Sequence, residues 1–238
     1  MKTRLSVNLN KVALIRNSRG GNNPDLVRIA QDCEAFGAEG ITIHPRPDQR
    51  HARYSDIKAL KDVVKTELNI EGYPSPELLD LVLEHCPHQF TMVPDPPGVL
   101  TSSEGWAINE HASFLKDIID VCHKKGIRTS LFIEPIPSRA EEAAKIGADR
   151  IEMYTGHYAN QFHKDRSNAI FSYRETAQAS LASGLEINAG HDLNLENLAY
   201  FKAGISELAE VSIGHALICD ALYFGLKNTV QMYLNLLK

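Results

Sequence analysis

Short apolar stretches alternate with amphipathic ones along the whole chain. Eight stretches are rich in apolar and β-branched residues over a length typical of strands. They are residues 5–10, 40–45, 68–73, 89–94, 128–134, 150–155, 185–190 and 208–214. Most intervals between them carry apolar residues at helical spacing, as at Leu26, Ile29, Ala30 and Cys33. The pattern therefore predicts a regular alternation of strands and helices.

Local signals mark where these helices begin and end. Three helix starts are predicted from proline at a first helical position or from a capping box: Pro24 after Asn23, Pro76 after Ser75, and Ser138 with Glu141. Glycine stands between a predicted helix and the next strand at four junctions, Gly37, Gly126, Gly147 and Gly184. Glycine is the usual residue just beyond a helix C-terminus, so these junctions indicate repeated β–α units.

Eight strands with intervening helices in 238 residues predict one (β/α)8 barrel, a TIM barrel that spans residues 1–238 as a single domain. An open doubly wound sheet is the alternative. No G-x-G-x-x-G follows the first strand, which argues against its dinucleotide-binding version. Two intervals, 11–23 and 95–106, are longer than a barrel requires. Both are predicted to be loops on the catalytic face, where long loops often act as lids.

Composition and charge narrow the range of functions. Apolar residues make up 43% of the chain, enough for a large core, and the net charge of −5 gives no electrostatic reason to expect nucleic acid or an anionic membrane as partner. No signal peptide or long apolar segment is evident, so we expect a cytoplasmic protein. The four cysteines are widely spaced, so the sequence predicts neither a disulfide framework nor a structural zinc site.

Proton-transfer groups stand at the ends of several predicted strands. His44, His191 and His215 follow strands two, seven and eight, and Glu71 lies near the end of strand three. In a parallel barrel these ends meet at one open face, so the pattern predicts an active site there. A carboxyl group buried at such a mouth has a raised pKa that suits acid–base work, although Glu71 could instead be in a buried ion pair with an arginine.

Anion-binding groups surround the same face. Arg46 and Arg50 follow His44, with His51 directly after them, and arginine suits phosphate or carboxylate; Arg50 has a solvated alternative. Gly214 precedes a helix start, and backbone N–H groups at this place in a barrel often bind phosphate. A second group comes from the start of the chain: Asn8 and Asn10 are expected to point into the barrel mouth, and Arg19 is either an anion clamp or a surface residue.

Taken together, these segments resemble the pyridoxine 5′-phosphate synthase family of barrel enzymes. The resemblance runs from Val7 to about Leu237, and it rests on seven segments in this order: Arg16–Gly20, Gly40–Arg46 with Arg50 and His51, Asn69–Glu71, Val93–Pro94, Thr101, Asn188–His191 and Ile213–His215. It implies extra helices beyond the basic barrel and a homo-octamer built from dimers. It also implies an enzyme that condenses two phosphorylated small molecules, 1-deoxy-D-xylulose 5-phosphate and 3-amino-2-oxopropyl phosphate. The products are pyridoxine 5′-phosphate, phosphate and water, and the route runs through an imine.

Residue roles follow from the same resemblance, position by position. It implies that His44 and Glu71 are acid–base residues and that His191 is a proton donor. It implies that one set of residues holds the sugar phosphate: Asn10, Lys11, Arg46, His51 and Thr101. It implies that a second set holds the aminoketone phosphate: Asn8, Arg19, Asp192, Gly214 and His215. No cofactor and no metal are expected.

This chain departs from the family pattern in two places. Many relatives have an aspartate–histidine pair where this chain has Asn10 and Lys11, and glycine where it has Asp192. Two readings stay open: Lys11 pairs with Asp192 across the barrel mouth, or Lys11 points to solvent while Asp192 caps the turn before Leu193.

Two other functions also stay open. One is a metal-dependent barrel hydrolase with His44, Glu71, His191 and His215 as ligands. The other is a non-catalytic barrel that binds phosphorylated metabolites.

Overall fold

Eight parallel strands pair in chain order, and the last pairs with the first, so that the sheet closes into a barrel. The computed structural model describes residues 2–95, 102, 104–205 and 207–238. The strands are β1 (Arg4–Asn8), β2 (Gly40–Ile43), β3 (Glu67–Gly72), β4 (Gln89–Met92), β5 (Arg128–Ile133), β6 (Arg150–Tyr154), β7 (Glu186–Gly190) and β8 (Leu208–Ile213). All eight predicted strands are confirmed, and seven of them end one or two residues earlier than predicted.

Helices surround the barrel, and several are additional to one helix per strand. They are α1 (Asn10–Asn17), α2 (Leu26–Ala35), α3 (Tyr54–Lys61), α4 (Pro76–His85), α5 (Ala112–Lys124), α6 (Pro137–Lys145), α7 (Gly156–Gln161), α8 (Arg166–Ala169), α9 (Phe171–Ala182), α10 (Leu198–Gly204), α11 (His215–Phe224) and α12 (Leu226–Leu236). A short 3-10 helix, Ile108–His111, precedes α5. The predicted (β/α)8 barrel with extra helices is thus confirmed. Within the described residues, no helix is both long enough and apolar enough to cross a membrane.

Several helix boundaries follow the signals in the sequence. Ser75 caps α4 by accepting the Leu78 N–H at 3.3 Å, and Pro76 is the first helical residue, as predicted. The four junction glycines all have positive φ angles, from +71° to +102°. A positive φ is strained for other residues, which explains glycine at these turns between helix and strand.

Two predicted helix starts are wrong. Helix α2 begins after Asp25, whose carboxylate accepts the Val27 N–H at 2.9 Å, so Pro24 lies outside the helix rather than at its first position. Helix α6 begins at Pro137, which places Ser138 inside the first turn. A residue there cannot act as the N-cap, so the predicted capping box with Glu141 is not formed.

The interval 11–23 is not the predicted long loop, because helix α1 occupies its first half. Val12, Ala13 and Arg16 are buried, whereas Leu14 and Ile15 are 43% and 47% exposed. Apolar residues on the outward side weaken the amphipathic pattern, which is why the helix was not predicted. Strand β1 consequently ends at Asn8 rather than at residue 10. Of the second long interval, 95–106, the structure describes residues 95, 102 and 104–106.

The two faces of the barrel strands differ in polarity. Outward residues such as Leu5, Ile41 and Leu68 are fully buried against the helices and form the main core. Inward residues are polar and bond to each other across strands. Ser6 and Thr42 hydroxyls lie 2.7 Å apart, and the Thr91 hydroxyl donates to Asn69 at 3.0 Å. Barrel interiors are usually filled by branched apolar side chains, so this one is built differently.

Ion pairs close the amino-terminal end of the barrel. Glu67 is 7% exposed and accepts from three arginines: Arg4 at 3.0 Å, Arg150 at 3.3 Å, and Arg128. Glu210 lies beside the same cluster, with Arg4 at 3.9 Å. The buried charges at this end are therefore arranged in opposite pairs.

Candidate active site

Glu71 lies at the centre of the polar groups at the carboxyl-terminal end of the barrel. Its Oε2 accepts from the Asn8 side-chain amide at 3.3 Å, and its Oε1 accepts from the Ser212 hydroxyl at 3.4 Å. His44 Nδ1 lies 4.0 Å from Oε2. These contacts join the ends of β1, β2, β3 and β8 around one carboxyl group. The structure thus brings together three of the residues predicted for the site, Glu71, His44 and Asn8.

Burial makes this carboxyl group a weak acid. The pKa of Glu71 is raised to about 8, mainly by loss of water around the carboxyl group. The Ser212 hydrogen bond acts against this rise, and the nearby Glu210 and Asp95 add to it. The carboxyl group therefore retains its proton at neutral pH and titrates close to it. Such a group can both accept and donate a proton under physiological conditions. Among the described residues Glu71 contacts His44, Asn8 and Ser212, and no ion pair joins it to an arginine.

His44 is held in place from the start of α1. Its backbone N–H donates to the Asn10 side-chain oxygen at 2.9 Å, and the Asn10 N–H in turn donates to Asn8 Oδ1 at 3.1 Å. Burial lowers the pKa of His44 well below its ordinary value, and the positive charge of Arg46 lowers it further. Since burial favours the neutral forms of both His44 and Glu71, their contact joins two uncharged groups rather than an ion pair.

His51 lies beside His44, with the two ring centres 6.4 Å apart. Its Nδ1 accepts the Ala52 N–H at 3.0 Å, so the ring proton belongs on Nε2. Burial, followed by the charges of Arg46 and Arg50, lowers the pKa of His51 to about 4. His51 is therefore a neutral hydrogen-bond donor at physiological pH.

Arg46 is buried, and it pairs with a carboxylate that the sequence did not indicate. Its Nη2 lies 2.5 Å from Asp95 Oδ2 and 3.4 Å from the Ser102 hydroxyl, and Ser102 also donates to Asp95. A cavity of about 290 Å³ opens next to this pair, lined by His44, Arg46, Asp95 and Tyr73 among others. The cavity has room for a small phosphorylated molecule beside the guanidinium group.

His191 follows β7 on a strained turn and has aromatic neighbours. It has a φ of +82°, and Asp192 after it has +58°. The Thr155 hydroxyl donates to the Gly190 carbonyl at 2.6 Å and also contacts the His191 carbonyl. The rings of Phe132 and Tyr154 lie 5.4 Å and 5.3 Å from the imidazole. This turn and the two rings fix the direction in which the imidazole faces.

Two residues of opposite charge act on His191. Burial lowers the pKa of His191; Asp192 raises it, and Lys11 lowers it. Lys11 is half-buried on α1, and Asp192 is exposed. Among the described residues no ion pair joins Lys11 to Asp192, so one of the two interpretations, a direct pair, is not formed; a pair through substrate stays a prediction. Their charges nevertheless oppose each other at the same imidazole.

A second buried acid, Glu152 on β6, lies at the same end of the barrel. It is 3% exposed, and its Oε2 has no hydrogen-bond partner among the described residues. Burial, followed by the charge of Glu71, raises the pKa of Glu152 well above the ordinary value. Its Oε1 lies so close to Gly190 that a Cβ there would be 2.3 Å away. The signal that could have found it is strand phase, because Glu152 shares its alternation with the polar Arg150 and with Tyr154.

The turn after β8 lies against strand one. A Cβ on Gly214 would be 3.0 Å from the Asn8 Cβ and 3.1 Å from its carbonyl oxygen, so only glycine fits without a shift. His215 is the first residue of α11 and is exposed, with Cys219 3.8 Å from its Nε2. The N-terminus of α11 therefore opens directly beside Asn8.

One predicted substrate contact stands apart from this cluster. Arg19 lies just beyond α1 and is exposed, and no described hydrogen bond or ion pair joins its side chain to the site. Thr101 lies outside the described residues.

Comparison with known proteins gives a consistent result. The family of the pyridoxal phosphate biosynthesis protein PdxJ matches residues 5–238. A protein of Cytophaga hutchinsonii named pyridoxine 5′-phosphate synthase is 58% identical over 236 residues, which cover 99% of each chain. A protein of Parabacteroides distasonis with the same name is 55% identical over 231 residues, 97% of each chain.

Solved structures resemble the chain in fold alone. A 3-keto-L-gulonate-6-phosphate decarboxylase of Vibrio cholerae has a TM-score of 0.68 at 12% identity, covering 100% of this chain and 98% of that one. A phosphoribosylanthranilate isomerase of Thermotoga maritima has a TM-score of 0.59 at 13% identity, covering 99% and 98%.

Proposed function

The chain belongs to the family of the pyridoxal phosphate biosynthesis protein PdxJ, and on this premise we propose that it acts as a pyridoxine 5′-phosphate synthase. It condenses 1-deoxy-D-xylulose 5-phosphate with 3-amino-2-oxopropyl phosphate and releases pyridoxine 5′-phosphate, phosphate and water. The amine of the aminoketone phosphate attacks the ketone of the sugar phosphate to give an imine. Proton transfers, loss of phosphate and ring closure follow. This sequence requires several proton transfers between positioned groups.

The single observation that carries the proposal is the position of Glu71. A carboxyl group that titrates near pH 8 stands within hydrogen-bond reach of Asn8 and Ser212 and 4.0 Å from His44. A group whose pKa lies close to the working pH is the most effective general acid or base. Glu71 and His44 are therefore the acid–base residues, and they exchange protons with the substrates at the barrel axis.

His191 is the proton donor in this proposal. Burial lowers its pKa, so the protonated imidazole releases its proton readily once it has formed. The ring is held by Phe132, Tyr154 and the Thr155-bonded turn, which supports donation in one fixed direction.

Two anion sites flank these groups. The sugar phosphate lies by Arg46 and His51, with Asn10, Lys11 and Thr101 as further contacts. The buried guanidinium group and the neutral Nε2–H donor of His51 support this assignment. The aminoketone phosphate lies at the α11 N-terminus beside Gly214, with Asn8, Arg19, Asp192 and His215 as further contacts. The approach of Gly214 to Asn8 and the helix dipole support it.

The metal-dependent hydrolase lacks a ligand set in the part of the chain that the structure describes. No three His, Cys, Asp or Glu side chains lie there in an arrangement that could hold a metal ion. We expect that dialysis against a strong chelator leaves turnover unchanged, because the proposed proton transfers need side chains alone. Loss of activity that one added metal restores would favour the hydrolase reading instead.

Assembly into a homo-octamer built from dimers is part of the proposal. The end of α11 supports it, because Leu222, Tyr223 and Phe224 are 75%, 87% and 47% exposed in the single chain. Apolar side chains that neighbour each other on a surface commonly mark a contact between proteins. Light scattering on the purified protein measures the assembly directly, and a monomer at micromolar concentration would refute it.

The direct test is to mix both proposed substrates with the protein and follow the chromophore of the pyridoxine ring. Product formation that requires both substrates supports the proposal. Binding of either substrate without turnover would instead identify a non-catalytic barrel that binds phosphorylated metabolites.

A further inference from the structure

Asn17, at the end of α1, holds three consecutive backbone carbonyls of the loop after β2. Its side-chain Nδ2 donates to the carbonyl oxygens of Gln49, Arg50 and His51 at 3.3, 3.0 and 2.7 Å. Gln49 has a φ of +49°, so this part of the loop has a conformation that non-glycine residues rarely adopt. A single amide thus fixes the strained end of the loop, which we name the arginine loop (residues 45–53).

Arg16 orients that amide and anchors the loop to α3. Its Nε donates to Asn17 Oδ1 at 3.1 Å, which turns the Nδ2 end of Asn17 toward the carbonyls. Its Nη1 and Nη2 donate to Asp56 at 2.7 and 2.9 Å, and Nη2 also contacts the His51 carbonyl at 3.3 Å. Arg16 is only 3% exposed. A guanidinium group with these partners is fully engaged inside the protein and does not reach a substrate.

Asp56 completes the network from the other side. It is 8% exposed, and its Oδ2 accepts the Arg53 N–H at 2.7 Å in addition to the arginine contact. The end of the arginine loop and the start of α3 are thereby fastened to the same carboxylate. Such a bidentate, charge-assisted pair is among the strongest ways to fix one segment relative to another.

The two arginines of one short motif thus have opposite environments. Arg16 is buried and bonded, whereas Arg19, three residues later, is exposed. Helix α1 also fastens the beginning of the same segment, because Asn10 at its other end accepts the His44 N–H. Both ends of α1 are therefore bonded to the segment that carries His44, Arg46 and His51.

We propose that Arg16 and Asn17 are positioning residues that set the arginine loop in its binding conformation for the sugar phosphate. They act through His51, whose carbonyl both side chains hold while its Nδ1 accepts from Ala52. The loop is then ordered before the ligand arrives, so binding does not have to supply that ordering. The inference rests on the proposed function only for the identity of the ligand.

Asn17→Ala is the first test, because it removes the amide at a half-buried position without a large cavity. Amide hydrogen exchange in residues 45–53 should become faster, while exchange in the strands stays as in the parent. The KM for the sugar phosphate should rise about tenfold, with a much smaller change in kcat and in the KM for the aminoketone phosphate. Asn235→Ala, which removes an exposed amide bonded to the Lys238 side chain, is the matched control and should change neither.

Arg16→Lys and Arg16→Met form the second test. Arg16→Lys keeps the positive charge and should retain part of the affinity for the sugar phosphate, whereas Arg16→Met should retain less. Arg28→Met, at an arginine whose side chain is 81% exposed, controls for the loss of one positive charge alone. Unchanged exchange in residues 45–53 in both Asn17→Ala and Arg16→Met would overturn the proposal, as would equal rises in the two KM values. A parent without turnover would overturn the proposed function and leave the exchange result standing.

Discussion

The two ends of the barrel bury the same kinds of side chain in opposite electrostatic arrangements. At the amino-terminal end, Glu67 is surrounded by Arg4, Arg128 and Arg150, so the charges neutralise one another. At the carboxyl-terminal end, Glu71 contacts an amide, a hydroxyl and an imidazole instead. The first arrangement pairs a carboxylate with opposite charges and fastens neighbouring strands to one another. The second makes a carboxyl group hold its proton, which costs stability and supplies chemistry.

The largest expected effect comes from removing the titratable group at the mouth. Glu71→Gln preserves the shape of the side chain and one acceptor oxygen but cannot exchange a proton, so turnover should fall about 10²–10⁴-fold. Glu84→Gln, at an exposed glutamate, should leave turnover unchanged. Steady-state kinetics of the two variants measures the difference. Turnover of Glu71→Gln within about threefold of the parent would be too small an effect for a general acid–base residue.

The equivalent change at the other end should damage stability instead. Glu67→Gln leaves three arginines without their shared carboxylate, and breaking a buried ion pair from one side costs about 3–5 kcal/mol. Chemical denaturation of the parent and the variant gives the free energies of unfolding. The folded fraction should keep the parental turnover, since Glu67 lies far from the mouth. A Glu67→Gln variant as stable as the parent but with impaired turnover would contradict the assignment of stability to this end of the barrel and of chemistry to the other.

A smaller effect should appear in how stability depends on pH. The pKa of Glu71 rises from 4.5 to about 8 on folding, so between these values the unfolded chain releases a proton that the folded chain keeps. The contribution of Glu71 is therefore fully favourable below pH 4.5 and is lost as the pH rises through 8. Glu71→Gln lacks this loss, and its stability relative to the parent should increase from about pH 5 to about pH 8. Urea denaturation at several pH values tests this. A difference in the free energy of unfolding between the two proteins that does not change with pH would contradict it.

The sequence predicted the barrel because strand phase and junction glycines are local signals. It also predicted which residues stand at strand ends, and in a parallel barrel that alone places His44, Glu71 and His191 at one face. Helix α1 was not predicted because Leu14 and Ile15 face outward. Its apolar pattern therefore resembled neither a clear amphipathic helix nor a strand.

The hydrogen-bond and ion-pair partners of the site residues could not be predicted from the sequence, for a different reason. The pair between Arg46 and Asp95 joins residues 49 positions apart, and the pair between Arg16 and Asp56 joins residues 40 apart. No local pattern encodes which carboxylate a given arginine meets. The direction of Glu152 was also open, because an inward polar layer departs from the usual barrel interior.

The proposed chemistry requires that the folded protein holds Glu71 protonated at neutral pH. Infrared difference spectroscopy between the parent and Glu71→Gln isolates this one carboxyl group, because Glu152 and Glu210 are common to both. We predict a protonated-carboxyl C=O band for the parent at neutral pH, which gives way to carboxylate bands as the pH rises through about 8. Carboxylate bands alone at neutral pH would show that Glu71 is charged and would contradict the account.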